Sequence, residues 1–196
     1  MSKKLKIALI VFVVFCCKTH ANQVNVEERE LYLSQIESFF DDIKAMNARF
    51  IEVSSTKGIA SGVFMIMRPY MKVKYETPHQ NVIVADGQNL YHWDCQLEEQ
   101  SKYDITSSPV AAILSKKLNL RKNTIVKAVK QDSAKIWINL SLTAYSGVKS
   151  IVLVFTKKPF CLIQWILIND RNDTVEVTLQ DVNLKAKLNQ ADFSLK

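Results

Sequence analysis

Few side chains in this sequence combine the types and the spacing that catalysis or metal binding requires. After residue 21 the chain has two histidines, His79 and His92, and two cysteines, Cys95 and Cys161. His92 and Cys95 stand three positions apart, a spacing that points them to opposite faces of a strand. A nucleophile–base pair between them is therefore disfavoured.

Sequence motifs of the common enzyme classes are absent. The chain has no G-x-S-x-G, H-E-x-x-H or C-x-x-C motif, and its four glycines could hardly build a phosphate-binding loop. The adjacent carboxylates at 41–42 and 98–99 are more typical of solvated faces than of an acid–base pair. Catalytic triads can assemble from distant positions, so a secreted hydrolase stays an alternative that activity screening would test. We expect a protein that is not an enzyme and that binds no metal or cofactor.

The first twenty-one residues have the features of an export signal. Lys3, Lys4 and Lys6 precede an uninterrupted apolar run of eleven residues at 7–17, and small Ala21 offers a cleavage site. A helix of that length, at about 1.5 Å per residue, is too short for a hydrocarbon core of about 30 Å. We expect cleavage near Ala21, a periplasmic mature protein and a single domain at 22–196.

Cysteines and charge limit the partners of the mature chain. Cys16 and Cys17 lack the small preceding residue that lipoprotein processing requires, so they are interpreted as part of the apolar run. Loss of residues 1–21 removes four lysines and no acid, which lowers the net charge from +7 to +3. A weak charge of mixed sign does not indicate a nucleic-acid partner, and we expect a monomer. Export permits a disulfide between Cys95 and Cys161, although the sequence does not show that they meet.

One amphipathic helix precedes a long series of strands. Asn25 can cap this helix together with Glu28 three residues later. The apolar positions that follow recur with helical spacing at Leu33, Ile36, Phe40 and Ile43. Such a stripe must be buried against a larger surface, and a sheet is the simplest partner.

From residue 48 the periodicity falls to two. Asp86-Gly87 is a strong tight-turn signal between two of the predicted strands. Regular strand–turn spacing of this kind indicates an antiparallel meander rather than βαβ units. Strands are predicted at 49–54, 59–68 with an interruption at Pro69, 71–76, 81–85, 89–94, 97–103, 124–130, 135–142, 150–156, 161–169 and 174–181.

A short helix interrupts the meander. Ser108 as the cap and Pro109 at the first helical position predict a helix of about ten residues. Its apolar side is predicted to carry Val110, Ile113, Leu114 and Leu118. The later strands at 151–155 and 162–168 are apolar on both faces. Either helices cover one face, or the concave face has more apolar surface than its own side chains can cover.

The stretch 62–94 resembles the core signature of the outer-membrane lipoprotein carrier (LolA) family. It reads GVFMIMRPYMKVKYETPHQNVIVADGQNLYHWD, with a glycine, a strand ending in Arg68-Pro69, an apolar strand into Asp86-Gly87 and an aromatic strand. Ser107-Ser108-Pro109 before an apolar helix is similar to the family's central segment. The resemblance covers most of the mature chain and is concentrated in 48–118. Lys72 and Lys74 depart from it, since relatives often carry apolar or aromatic residues there.

The resemblance implies a mainly β fold, an unclosed and strongly curved antiparallel sheet (a half-barrel) whose concave face is covered by the N-terminal and central helices. It implies a periplasmic carrier that takes acylated lipoproteins from an inner-membrane lipoprotein-releasing complex to an outer-membrane acceptor. An outer-membrane-anchored acceptor and a lipid-sensing envelope regulator of the same fold remain alternatives. The resemblance also implies that Arg68 gates the helices over a lipid cavity. Candidate cavity and gating residues are Arg68, Phe64, Ile66, Phe50, Pro69, Val110, Ile113, Leu114, Ile36 and Phe40.

Overall fold

Alternating apolar and polar residues build a continuous antiparallel sheet. The structure, a computed structural model, describes residues 22–108, 110–142 and 147–195, with the side chains of 112, 122 and 123 left out. The predicted signal peptide with Ala21, and Pro109, lie outside the described residues. Within them the strands are β1 (Asn22–Gln23), β2 (Met46–Ser54), β3 (Gly58–Met67), β4 (Tyr70–Thr77), β5 (Asn81–Ala85), β6 (Asn89–Asp94), β7 (Glu99–Asp104), β8 (Ile125–Gln131), β9 (Lys135–Ser141), β10 (Val148–Lys157), β11 (Phe160–Asn169) and β12 (Thr174–Asn183).

The strand order gives an unclosed, curled sheet. Its order is β1-β8-β9-β10-β11-β12-β2-β3-β4-β5-β6-β7, so two hairpin meanders meet where β12 pairs with β2. Leu179 lies opposite Phe50 at this junction. Edge strands β1 and β7 stand at opposite ends of the order, and the sheet curls without closing. The predicted fold class is confirmed.

Tight turns set the register of the strands that carry the signature stretch. Met67 pairs with Tyr70, so Arg68 and Pro69 are the two residues of a hairpin turn rather than an interruption within one strand. The predicted Asp86-Gly87 turn is confirmed, because the Asp86 amide donates to the Asn89 carbonyl and Gly87 has φ +94°. Both turns fix the register of strands whose alternate side chains point to the concave face of the sheet.

Gly62 permits a close approach of backbone to backbone. A Cβ at this position would lie 2.0 Å from the Lys74 carbonyl oxygen and 2.9 Å from the Phe50 ring. Phe50 and Tyr75 flank the glycine on the neighbouring strands, and their rings meet edge to face at 5.2 Å. The glycine is therefore required sterically, and the two aromatic rings cover the space that it leaves.

The N-terminal helix α1 (Val26–Asp42) packs on the concave side of the sheet. Its predicted capping box is confirmed, with the Asn25 side chain accepting from the Glu28 amide and Glu28 bonding back. Leu33, Ile36 and Phe40 are buried. The ring of Phe40 packs against that of Phe155, which places the C-terminal half of the helix on β10. The hydroxyl of Tyr32 donates to Gln131 at 2.6 Å and holds the helix to β8. The helix thereby covers the β8–β10 side of the concavity.

The predicted ten-residue central helix is wrong in length. A 3-10 turn (Ile105–Ser107) is followed by two short helices, α2 (Val110–Leu114) and α3 (Leu120–Asn123). The Ser108 cap is confirmed, because its hydroxyl accepts from the Val110 amide at 3.3 Å. Between the two helices, side chains from elsewhere bond to backbone groups that a continuous helix would use internally. Tertiary contacts therefore override the local helical pattern.

A second, smaller hydrophobic cluster lies on the convex side. Phe193, from a 3-10 turn at Gln190–Phe193, is 6% exposed and packs with Val82 and Val84. The ring of Tyr70 lies 5.7 Å from that of Phe193, and the Lys72 ammonium donates to the Asp192 carbonyl at 3.2 Å. The last described residues therefore fold back over β3–β6.

Candidate functional site

An apolar cavity of about 320 Å³ lies between the concave face of the sheet and the helices. Its walls come from β2–β6 and β10–β12, and its cover comes from the end of α1, Ser108 and α2. Volumes of this order are typical of small-molecule sites. Three of the lining residues are polar, Glu52, Tyr75 and Ser108. A wall so poor in polar groups suits an apolar ligand.

Six of the ten candidate residues line this cavity. Phe64 lies in the wall near Trp165 from the far side of the concavity, and the two ring centroids are 5.7 Å apart. The lining candidates come from three different parts of the chain and meet only in the fold. They are Phe40, Phe50, Phe64, Ile66, Val110 and Ile113.

The other four candidates lie outside the cavity wall. Ile36 and Leu114 are buried in the main core, where α1 and α2 pack. Pro69 is exposed in the β3–β4 turn. Arg68 belongs to the same turn and bonds to the covering segment rather than facing the ligand space. The helical stripe that pointed to Ile36 marks core packing at that position.

Most of the wall was not singled out from sequence. The later strands were recognised as apolar on both faces, but their register relative to β2–β6 depends on the curl of the sheet. The additional apolar lining residues are Ile43, Met46, Met71, Val73, Ile83, Leu90, Val148, Ile151, Leu153, Leu162, Trp165, Leu167, Val175 and Val177.

The cavity has a buried end and a more exposed end. On β2, Met46 and Phe50 are 2% and 3% exposed, whereas Glu52 is half-buried. On β12, Val177 is buried and Val175 is half-buried. The same trend on β10 and β11 places the mouth at the end of the sheet that includes Glu52, Tyr75, Val148, Leu167 and Val175.

Arg68 ties the buried end of the cavity to both helical elements. Its guanidinium donates to the Ser115 carbonyl at 3.0 Å and to the Phe40 carbonyl, and lies 3.5 Å from the Asp41 carboxylate. The side chain is 12% exposed. One cation therefore joins the β3–β4 turn, the C-terminal end of α1 and the residues after α2.

A row of acids on α1 holds the residues that follow α2. We call residues 110–121 the lid segment. The Asp41 carboxylate accepts from the Leu118 amide at 3.0 Å, and Glu37 accepts from the Leu120 amide at 2.9 Å. Arg121 pairs with Glu37 and Glu30, each at 2.8 Å. These contacts fasten the second half of the lid segment, while Arg68 joins Ser115, the residue directly after α2, to the β3–β4 turn.

Two polar side chains meet in the cavity wall near its mouth. The Tyr75 hydroxyl donates to a Glu52 carboxylate oxygen at 2.8 Å. Burial raises the pKa of the Tyr75 hydroxyl, and the negative charge and hydrogen bond of Glu52 raise it further. Tyr75 therefore stays neutral and keeps its proton toward Glu52. Neither side chain was singled out from the sequence, because Glu52 is a lone acid in an alternating strand and Tyr75 is one of several aromatic residues in 62–94.

The described residues contain few other groups that could react or bind a metal ion. Cys95 and Cys161 are free thiols, so the disulfide left open by the sequence is not formed. Burial raises the pKa of the Cys161 thiol. Across the described ranges, histidines, cysteines and acids form no cluster suited to a metal ion. Over the same ranges, none of the helices has the length and apolar character to cross a bilayer.

A curled, unclosed antiparallel sheet with helices over an apolar hollow defines the class of curved-sheet proteins that enclose an internal ligand cavity. The chain belongs to the LolA family. The matching family model carries the description "Outer membrane lipoprotein carrier protein LolA" and covers residues 41–196.

Individual relatives are similar over a shorter stretch. An outer-membrane lipoprotein carrier protein of Cupriavidus necator is 31% identical over 120 residues, which is 55% of this chain and 56% of that protein. One from Neisseria meningitidis is 32% identical over 100 residues, 48% of each chain. The chain thus matches these curated relatives over about half of their length.

Two solved structures share the fold at low identity. An uncharacterized conserved protein from Thermus thermophilus aligns with a TM-score of 0.55 at 7% identity, covering 85% of this chain and 92% of that one. A DUF1329 family protein from Desulfovibrio piger aligns with a TM-score of 0.52 at 8% identity, covering 86% and 98%. These likenesses support the curled-sheet architecture and nothing finer.

Proposed function

We propose that this protein is an exported, non-enzymatic carrier that shields the acyl chains of lipoproteins in the periplasm. It would receive them from an inner-membrane releasing complex and deliver them to an outer-membrane acceptor. Membership of the LolA family supports the class of cargo. The observation that carries the proposal is the apolar cavity of about 320 Å³ between the sheet and the lid segment.

The cavity provides the apolar surroundings that an acyl chain lacks in water. Each methylene that leaves water gains about 0.8 kcal/mol, so a whole lipid anchor meets a barrier of tens of kcal/mol without a carrier. The wall contributes large apolar side chains such as Leu153 and Trp165. Shielding a chain needs no catalytic group, in keeping with the sparse chemistry of the described residues.

Release requires that the empty state also be stable. In the structure the lid segment is closed, with Leu114 and Leu118 buried and Arg68 bonded across to it. Cargo must compete with these contacts, so closing the empty cavity offsets part of the binding free energy. An acceptor that binds the lipoprotein with only modestly higher affinity than the carrier can then remove it.

Filling the cavity tests the proposal. Val73 lines the wall and is half-buried, so Val73→Trp should occupy ligand space. Val63, on the neighbouring strand, points to the opposite face, and Val63→Trp is the matched control. We expect the wild type and the control to bind an acylated lipopeptide, measured by displacement of a neutral apolar dye, and Val73→Trp to bind at least tenfold more weakly. Equal binding by both variants, or failure of the wild type to prefer the acylated peptide over its unacylated form, would refute a cavity for acyl chains.

A further inference from the structure

The cavity wall carries a single carboxylate among its described lining residues, Glu52. Tyr75 donates to it at 2.8 Å. A carboxylate has about four lone-pair sites, so one tyrosine hydroxyl leaves it able to accept further hydrogen bonds. The Tyr75 ring packs edge to face on Phe50, and Tyr75 pairs with Gly62 on β3, so its hydroxyl is placed to hold the carboxylate at the cavity wall.

Glu52 lies where the polar end of a bound chain would be. Toward the Arg68 end of the cavity, the lining residues Met46, Ile66 and Met71 are all buried. Toward the other end, Glu52 and Val175 are half-buried. An acyl chain gains most by entering the buried end, which leaves its head group at the half-buried end beside Glu52.

Among the described residues, no ion pair neutralises the charge of Glu52. The five ion pairs of the described residues join other groups, and the nearest basic residues along the strands, Arg49 and Lys74, point to the opposite face. A second negative charge placed beside Glu52 in this apolar wall is repelled, because screening by water is weak there. A head group that donates a hydrogen bond is attracted.

We propose that Glu52, positioned by Tyr75, selects the head group of the acyl ligand. The site admits acyl chains joined through uncharged linkages, above all amides whose N–H can donate to the carboxylate, and it rejects free fatty-acid anions. This inference rests on the proposed function and deepens it. It gives the carrier a means of refusing the free fatty acids and other anionic single-chain lipids of the envelope, which would otherwise fill the same apolar space.

A matched ligand pair tests the selection. Dodecanamide and dodecanoate have the same chain and nearly the same head-group size but differ in charge. Each is titrated at neutral pH against the purified protein carrying a neutral apolar fluorophore, and the ratio of the two Kd values is the readout. The variants are Glu52→Gln, which removes the charge in place, Glu99→Gln on the exposed edge strand as the control, and Tyr75→Phe, which leaves the charge intact.

We expect the wild type and Glu99→Gln to prefer dodecanamide, and Glu52→Gln to reduce that preference about tenfold, or about 1.4 kcal/mol. Tyr75→Phe should reduce it by less than Glu52→Gln does, since the carboxylate remains but loses the hydroxyl that positions it. Glu52→Met, of similar length, takes the place of Glu52→Gln if that variant does not fold by circular dichroism. An unchanged ratio in the Glu52 variants, or no preference in the wild type, overturns the selection while leaving the carrier proposal intact. Displacement by neither ligand overturns both.

Discussion

Replacing Arg68 by leucine should trap cargo on the protein without unfolding it. The substitution removes the donors to the Ser115 and Phe40 carbonyls and the contact with Asp41. These groups lie at the C-terminal end of α1 and in the lid segment, where the Asp41 side chain is 28% exposed. The strands and the main core are untouched, so the variant should fold.

The magnitude follows from the hydrogen bonds that the substitution removes. A hydrogen bond from a charged donor contributes about 1.5–3 kcal/mol. Taking the lower figure for each of the two carbonyl bonds, because the Arg68 side chain is still 12% exposed, the closed empty state is destabilised by about 3 kcal/mol. A ligand that requires the open state then gains up to about 100-fold in apparent affinity, since less of its binding free energy is spent on opening the lid segment.

The assay measures both affinity and transfer of an acylated lipopeptide. Arg68→Leu should bind the lipopeptide more tightly and pass it to an acceptor or to lipid vesicles more slowly than the wild type. Arg49→Leu is the matched control, because Arg49 is an exposed arginine on β2 whose partner Glu76 lies away from the lid segment. Unchanged affinity and normal release by Arg68→Leu would refute the gating role, as would equal effects of the two substitutions.

Three further predictions concern the framework of the site. Gly62→Ala should lower the free energy of unfolding by about 2 kcal/mol or more in urea denaturation, because the new methyl meets the Lys74 carbonyl; exposed Ile59→Ala on the same strand should change it by less than about 0.5 kcal/mol, and equal effects would contradict the steric argument. The folded-state pKa of Tyr75 lies above its ordinary value of 10.0, so its contribution to stability is complete below pH 10 and is lost as the pH rises through the folded pKa. Urea denaturation at neutral pH and at about pH 11 should therefore show a smaller alkaline loss in Tyr75→Phe than in the wild type, and identical losses would refute the shift. Phe193→Ala should cost about 3 kcal/mol of stability while leaving lipopeptide affinity within twofold, and a large loss of affinity would link the convex cluster to the cavity.

Local patterns predicted most of the elements. The capping box at Asn25, the Asp86-Gly87 turn and the strand alternation each depend on neighbours within a few residues, so the sequence displays them directly. On β12, the alternation of apolar and polar residues matches the observed burial of Val177 and Leu179. The curved-sheet class followed from the resemblance of residues 62–94, since alternation alone does not distinguish a half-barrel from other meanders.

The site was less predictable because it depends on curl and on tertiary contacts. Ile36 and Phe40 share one helical stripe and both are buried, yet of the two only Phe40 is among the described residues that line the cavity. Helix α2 ends earlier than predicted because Arg68 and the acids of α1 bond to backbone groups that a longer helix would use. Glu52 had no sequence signal, as a single acid in an alternating strand is usually solvated.

The convex cluster had no periodic signal either. Phe193 is an isolated aromatic residue in a polar stretch, and its partners Val82 and Val84 alternate as one face of β5. The strand is apolar on both faces, but its sequence does not show what covers the face that carries Val82 and Val84. Only the return of the chain across β3–β6 makes it a second core.

Native mass spectrometry of the protein isolated from the periplasm tests most directly whether the hollow carries acyl chains. We predict a population of one-to-one complexes with acylated polypeptides, enriched in Arg68→Leu and depleted in Val73→Trp, whose wall position is filled. The protein found alone, or with the same polypeptides bound to the wild type and to Val73→Trp, would contradict a carrier that holds lipoproteins by their acyl chains.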